Sequence, residues 1–243
     1  MVLELMKSHA SVRHYDGQPL TREQVSELIE AAQMAATSHF VQTYSVVWVT
    51  DEEKRAALGE LSNNPLQMKT AGAVLLMCAD YRRLTHASDM HNEPIVYDLA
   101  ENLIVAVTDV GLMAQNLALA AESKGYGICY IGGVRSNIEK ISELVGLPKG
   151  VFPVYGLTLG VPVETNEVKP RLPVEAILHE NTYDAEKYAE LLPAYDETIH
   201  VYYEKRSSNQ KSTTWTKQMA DFLKAPRREE ISAYLKKQGF EMK

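Results

Sequence analysis

Residues 129–137 read CYIGGVRSN. Two glycines close an aliphatic stretch just before what reads as a helix start, so a bare backbone is wanted there, for a turn, a phosphate or something flat. Upstream, residues 98–124 (DLAENLIVAVTDVGLMAQNLALAAESK) are apolar on most sides, and Gly125 follows as a C-cap, which predicts a long central helix. Downstream, Ser136 with Glu139 predicts a capping box, Ile138, Ile141, Leu144 and Val145 share one helical face, and Gly146 ends the helix.

Working outward, LTREQVSELIEAAQMAA begins with Thr21 and places Gln24 three positions on, a second capping box, ahead of Val25, Leu28, Ile29 and Ala32 on one face. YSVVWVT (44–50), AGAVLLMCAD (71–80) and FPVYGLTLG (152–160) are short β-branched or continuously apolar runs, as buried strands require. DEEKRAALGELSN between the first two reads as a solvent-facing helix. Beyond VPVETNEVKPRLP, tyrosines 183, 188, 195, 202 and 203 fall on helical stretches, KRSSNQKSTT reads as a polar basic loop, and residues 226–238 as a last helix with Pro226 in its first turn and Gly239 past its end. Strands and helices interleave irregularly, so the expected fold is α+β, one domain over 1–243 with a helical C-terminal extension from about 183 to 243.

The 243 residues, 45% hydrophobic, suffice for a full core, and a formal net charge of -7 argues against non-specific binding to nucleic acid or anionic membrane. Any anionic ligand must then be met by a local cluster of cations. Asp98, Glu101, Asn102, Asp109, Gln115 and Asn116 interrupt the long apolar segment too often for a lipid span, so it reads as a helix buried by its own domain, with a second subunit as a further cover. Cys78 and Cys129 sit singly in apolar runs and read as reduced core thiols of a cytoplasmic protein, and the N-terminus lacks the features of a signal peptide.

No GxGxxG after a strand, GxxxxGK[ST], GxSxG, HExxH or EF-hand loop occurs. HASDMHNE gathers His86, Asp89, His91 and Glu93, each a metal-ligand type, which keeps metal-dependent hydrolysis as a rival to the plainer reading of a solvated loop. SHASVRHY supplies His9, Ser11 and Arg13 at alternating positions, one face of an extended backbone, and KPRLP supplies Lys169 and Arg171 with prolines keeping the chain extended. Such pieces together would suit a phosphate dianion, Arg giving a fork, Lys a point charge and Ser a hydroxyl; singly, each is as ordinary as a salt-bridged surface segment.

SHASVRHYDGQPLT, AATSHFVQTYS, LMAQNLALAAESKGYGICYIGGVRSNIEKISELVGLP, LTLGVP, KPRLP, HENTY and YYEKRSSNQKSTTW, in this order, resemble the NADPH-dependent, FMN-containing nitroreductase and flavin reductase family over nearly the whole chain. The resemblance implies the α+β nitroreductase fold, an intertwined homodimer with FMN near the interface, and ping-pong reduction of nitroaromatics, quinones or free flavin, NADPH (or NADH) giving hydride to flavin N5. It implies no catalytic side chain and no metal. His9, Ser11, Arg13, Lys169 and Arg171 would hold the phosphate and ribityl region. Thr37, Ser38, His39 and Gln42 would surround the ring and ribityl chain, and the backbone of Tyr130, Ile131, Gly132 and Gly133 would lie against the isoalloxazine. Arg206 and Lys211 would recognise the NADPH 2′-phosphate. A cation near the N1 and O2 edge would favour the reduced ring, but no residue is assigned to it.

The chain departs from the family pattern at Ala10, where some relatives carry Arg, at Lys211, where Arg is frequent, and at Pro65, where a polar side chain commonly meets the ring; Asn64 or Gln67 stand near enough in sequence to compensate. Two other readings stay open on these residues: a dedicated FMN reductase supplying reduced flavin, and a flavin-binding storage or regulatory protein with little turnover.

Overall fold

A computed structural model describes residues 1–164, 166–206 and 210–243; Thr165 and the centre of the predicted polar loop, Ser207, Ser208 and Asn209, lie outside the described residues. The chain divides into two compact units, 1–166 with 228–243, and 167–227.

In the first unit α1 (Val2–Lys7) and α2 (Arg22–Ala32) precede β1 (Tyr44–Trp48), α3 (Glu52–Ser62), α4 (Pro65–Thr70), β2 (Ala73–Asp80), α5 (Arg82–Asp89), α6 (Ala100–Ser123), β3 (Gly127–Ile131), α7 (Ile138–Leu144) and β4 (Val151–Gly160). The second unit holds α8 (Val174–Ile177), α9 (Tyr188–Lys205) and α10 (Trp215–Leu223), and α11 (Glu230–Lys237) returns to the first. The four strands form one antiparallel sheet in the order β1-β2-β4-β3.

The unbroken apolar run of β2 follows from burial on both faces. Ala73, Leu75, Met77 and Ala79 enter one core with Leu28, Met113, Leu117 and Phe240, while Val74, Leu76 and Cys78 enter the other with Leu58, Met68, Val134 and Ile141. Helix α2 starts as the sequence predicts: the Gln24 N–H donates to Thr21 Oγ1 (3.2 Å) and the Thr21 N–H to Gln24 Oε1 (2.8 Å). By length and composition α6 could cross a membrane, yet Ala106, Asp109, Val110, Met113, Ala114, Leu117, Ala118 and Ala121 are buried against the sheet and α2. Gly125 follows it at φ +82°.

Four local expectations fail, the simplest being Tyr183, which lies in irregular chain ahead of α9 rather than on a helix. The Ser136–Glu139 box does not form, because Ser136 Oγ accepts from Arg228 Nε (3.3 Å) and Glu139 pairs with Lys237, leaving Asn137 to start α7 without a side-chain cap. The last helix begins at Glu230 rather than around Pro226, since Arg228 adopts φ +57° and breaks the approach. Helix α3 is not purely solvent-facing, for Leu58, Gly59 and Ser62 are buried on α4 and the second core.

Both thiols lie in the core, Cys78 at 0% and Cys129 at 3% exposure, and burial pushes the Cys78 thiol up to about 12. Neither is expected to react with an aromatic disulfide reagent at pH 8 until denaturant is added; labelling of the folded protein would show that the sheet opens.

Candidate functional site

Three segments of the first unit carry its sequence-predicted residues. The first is the chain before α2. Val12 donates its N–H to Ile128 O (2.9 Å) and drives its side chain onto Gly127, whose missing Cβ would stand 2.6 Å from Val12 Cβ. Pinning Val12 inward leaves Ser11 and Arg13 on the opposite, unburied face, the alternation an extended backbone imposes. His9 Nδ1 meets Glu122 Oε1 of α6 at 2.5 Å, so one ring nitrogen is fixed; among the described residues the other ring nitrogen has no hydrogen-bond partner, and Glu122 Oε2 is buried without one.

Below this segment Tyr15, 4% exposed, hydrogen-bonds Val12 O (2.7 Å) and Thr158 Oγ1 (3.0 Å), and Gln67 Nε2 donates to the same Thr158 Oγ1 (2.8 Å). Burial pushes the Tyr15 phenol well above its ordinary value, so it acts as a neutral strut. Gln67 is thereby committed to the core. Asn64 is the better placed of the two candidates: its Nδ2 donates to Ser62 O (2.6 Å) and lies 3.0 Å from where a Gly133 Cβ would be.

The second segment is the loop 37–43. His39, Phe40 and Gln42 all take positive φ (44°, 60° and 52°), which costs on the order of 1 kcal/mol for each non-glycine residue. Asp109 of α6, 1% exposed, holds the loop: Oδ1 accepts from the Ser38 N–H (3.1 Å), and Oδ2 accepts from the Thr43 N–H (3.2 Å) and hydroxyl (2.9 Å). Arg83 adds a bond to Gln42 O (3.2 Å). Thr37 Oγ1 is buried and has no partner among the described residues, and Phe40 is 80% exposed. In sequence Asp109 registers only as a polar interruption in an apolar helix; its partners lie 66 to 71 residues away, which no local pattern reports.

The third segment is YIGG. Neither Gly132 nor Gly133 has positive φ, so a turn needing left-handed backbone does not explain them. They are glycine for different reasons. A Cβ on Gly133 would stand 2.1 Å from Ser62 O, so packing forbids it. A Cβ on Gly132 would meet only guanidinium ends, Arg135 Nη2 at 3.3 Å and Arg228 Nη1 at 4.0 Å. Its protein neighbours leave that face free, as close approach of a flat ligand requires. Two guanidiniums sharing that face, neither ion-paired among the described residues, make a local positive centre in an acidic protein. Burial, and then the Arg228 charge, lower the pKa of Arg135. Tyr130 Oη donates to Gln115 Oε1 (3.4 Å), and its ring stands edge-on to Tyr155 at 5.2 Å.

In the second unit Lys169 Nζ donates to Tyr203 Oη (2.9 Å), and Lys169 and Lys211 both approach the Tyr203 ring, at 5.2 and 5.8 Å from its centroid. Although burial opposes it, the Lys169 hydrogen bond and the Lys211 charge lower the Tyr203 phenol. Arg206 lies 5.6 Å from the Tyr202 ring centroid, and exposed Arg171 donates to Lys169 O (2.5 Å). Lys169 thus shares an aromatic ring with Lys211 as well as a strand-like segment with Arg171. Among the described residues His86, Asp89, His91 and Glu93 form no group able to hold a metal: the first two lie on α5 and the others follow it, exposed.

Residues 6–161 match the model of the nitroreductase family, and residues 169–243 match its C-terminal domain. The chain belongs to the nitroreductase family. A Cr(VI) reductase of Pseudomonas sp. (strain G-1) is 60% identical over 243 residues, 100% of both chains, and the FMN reductase (NADPH) of Bacillus subtilis (strain 168) is 37% identical over 242 residues, 98% of this chain and 97% of that one. The solved structure of NfrA1 from B. megaterium superposes with a TM-score of 0.96 at 40% identity, covering 99% of each chain. An α+β nitroreductase fold therefore accounts for the single antiparallel sheet with helices on both faces. The residues present fit FMN on grounds of their own: the Thr37 hydroxyl and the second His9 ring nitrogen, without partners among the described residues, and the open Gly132 face are the features such a ligand needs.

Proposed function

We propose that this nitroreductase is an NADPH-dependent FMN oxidoreductase acting on small electron acceptors: nitroaromatics, quinones and free flavin, with chromate added by the name of the 60% identical relative. The observation that carries the reading is the bare Gly132 face, open to all but two arginine tips, in a chain whose relatives are named for NADPH and FMN. Bound FMN would accept hydride at N5 from the nicotinamide and pass electrons to the acceptor. The chain's own work is to hold, orient and tune. His9, Ser11 and Arg13, with Lys169 and Arg171, supply the phosphate and ribityl contacts; Thr37, Ser38, His39 and Gln42 supply polar groups to ring and ribityl chain; Tyr130, Ile131, Gly132 and Gly133 supply main chain to the ring. The guanidiniums of Arg135 and Arg228 are the cations beside the proposed ring face.

We further propose a cytoplasmic homodimer. Ile104 (61%), Val107 (38%) and Leu112 (45%) leave an apolar stripe of α6 exposed in the single chain, which a second copy would cover. Rapid NADPH oxidation on addition of a nitroaromatic or quinone tests the reading; bound flavin with no acceptor-dependent oxidation would favour a storage protein.

Arg206 and Lys211 are proposed to recognise the 2′-phosphate. Arg206→Ala is expected to cut kcat/KM for NADPH by about 10- to 100-fold, the value of one charge-assisted contact, and to leave NADH within about 2-fold. Steady-state kinetics with both donors check it, and an unchanged NADPH:NADH ratio removes Arg206 from the role.

A further inference from the structure

A carboxylate buried to 1% exposure without a cation needs full hydrogen bonding, and Asp109 gets all of its bonding from one place. Its three donors are the Ser38 N–H, the Thr43 N–H and the Thr43 hydroxyl, and no Lys, Arg or His pairs with it among the described residues. The donors bracket His39, Phe40 and Gln42, three non-glycine residues at positive φ within four positions, interrupted only by Val41 at φ -72°. Strained backbone persists only where its surroundings over-determine it. Here the charge needs the loop for its solvation and the loop needs the charge for its shape. The Tyr44 and Tyr81 phenols are both raised, first by burial and then in part by the Asp109 charge.

We infer that Asp109 is a positioning residue for the flavin site: through the two ends of loop 37–43 it fixes the directions of Thr37, Ser38, His39 and Gln42 toward the ligand. This rests on the FMN reading above. A neutral amide cannot replace it, because Asn keeps one acceptor and turns an N–H toward donors that already point inward. A hydrophobic residue in its place would leave the Ser38 and Thr43 N–H groups without their acceptor, so the buried carboxylate is tied to the loop geometry it enforces.

The test compares wild type, Asp109→Asn and Thr43→Val, the last losing only the hydroxyl donor. FMN Kd is measured by quenching of flavin fluorescence, the environment of the ring by visible circular dichroism of bound flavin, and the fold by far-UV circular dichroism. Expected are a Kd raised about 10-fold or more for Asp109→Asn and about 3-fold for Thr43→Val, scaled to a charged and to a neutral-donor hydrogen bond, with the flavin band altered and the far-UV spectrum kept. Asp109→Asn that melts earlier yet keeps wild-type Kd and flavin band would reduce Asp109 to a fold-stabilising residue and overturn the inference. Should Asp109→Asn not fold, Thr43→Val decides: a Kd within error of wild type overturns it too. Wild type that binds no FMN defeats the functional reading and this inference with it, whereas wild type that binds while both variants bind equally well defeats the inference alone.

Discussion

Gly132→Val is expected to leave the chain folded and to weaken FMN binding by about 10- to 100-fold, the equivalent of roughly 1–3 kcal/mol of overpacking. The new Cβ would meet only the guanidinium ends of Arg135 and Arg228, flexible groups that can give way, so the loss is expected to fall on whatever occupies the face beside them. Gly133→Ala separates the two glycines. Its Cβ would stand 2.1 Å from Ser62 O and 3.1 Å from Ser62 C, backbone atoms at the end of α3. That variant is expected to lose roughly 2–12 °C in Tm, the same overpacking energy drawn from the fold. Fluorescence titration with FMN and thermal melts of both variants check the pair. Wild-type affinity in Gly132→Val would remove the ring from Gly132.

Arg228→Gln is expected to lower the two-electron midpoint potential of bound flavin by about 30–60 mV, because one full charge near the ring is worth roughly 1.4–3 kcal/mol at protein-like dielectric. The sign follows from charge: a guanidinium favours the electron-rich reduced form, so its loss makes reduction harder. Arg228→Lys keeps the charge and loses the fork, and is expected to hold the potential within about 10 mV. Arg228 sits at φ +57° between α10 and α11, with its Nε on Ser136 Oγ (3.3 Å), so strained backbone aims it at the glycine face. Spectroelectrochemical titration of the three proteins decides it; equal potentials for wild type and Arg228→Gln would place the guanidinium away from the ring.

Much of the frame is legible in the residues. The Thr21–Gln24 box rests on bonds within a few residues, and the burial of β2 and α6, though made by distant partners, is written in the apolar character of their own residues, so local pattern reports all three. Errors arise where a distant partner outbids the local one. Ser136 and Glu139 have capping-box spacing, but Arg228 and Lys237, about a hundred residues on, take their side chains. Gln67 looks free to meet a ligand until Thr158, 91 residues away, is seen to hold it.

The candidate site divides the same way. The outward placement of Ser11 and Arg13 is readable because Val12 between them is apolar and faces inward. Asp109, Arg135 and Arg228 are not, since a carboxylate in an apolar helix and two scattered arginines gain meaning only from what folding sets beside them. Beside Pro65, the side chain of Asn64 is held on Ser62 O and stands next to Gly133, a placement the sequence does not report.

The most direct measurement is an anaerobic absorbance titration of the FMN-loaded protein with NADPH, followed by a quinone, a nitroaromatic or chromate. The account predicts that NADPH bleaches the visible flavin band stoichiometrically and that each acceptor restores it. A protein that retains no flavin after incubation with FMN, or whose band NADPH leaves untouched, would contradict it.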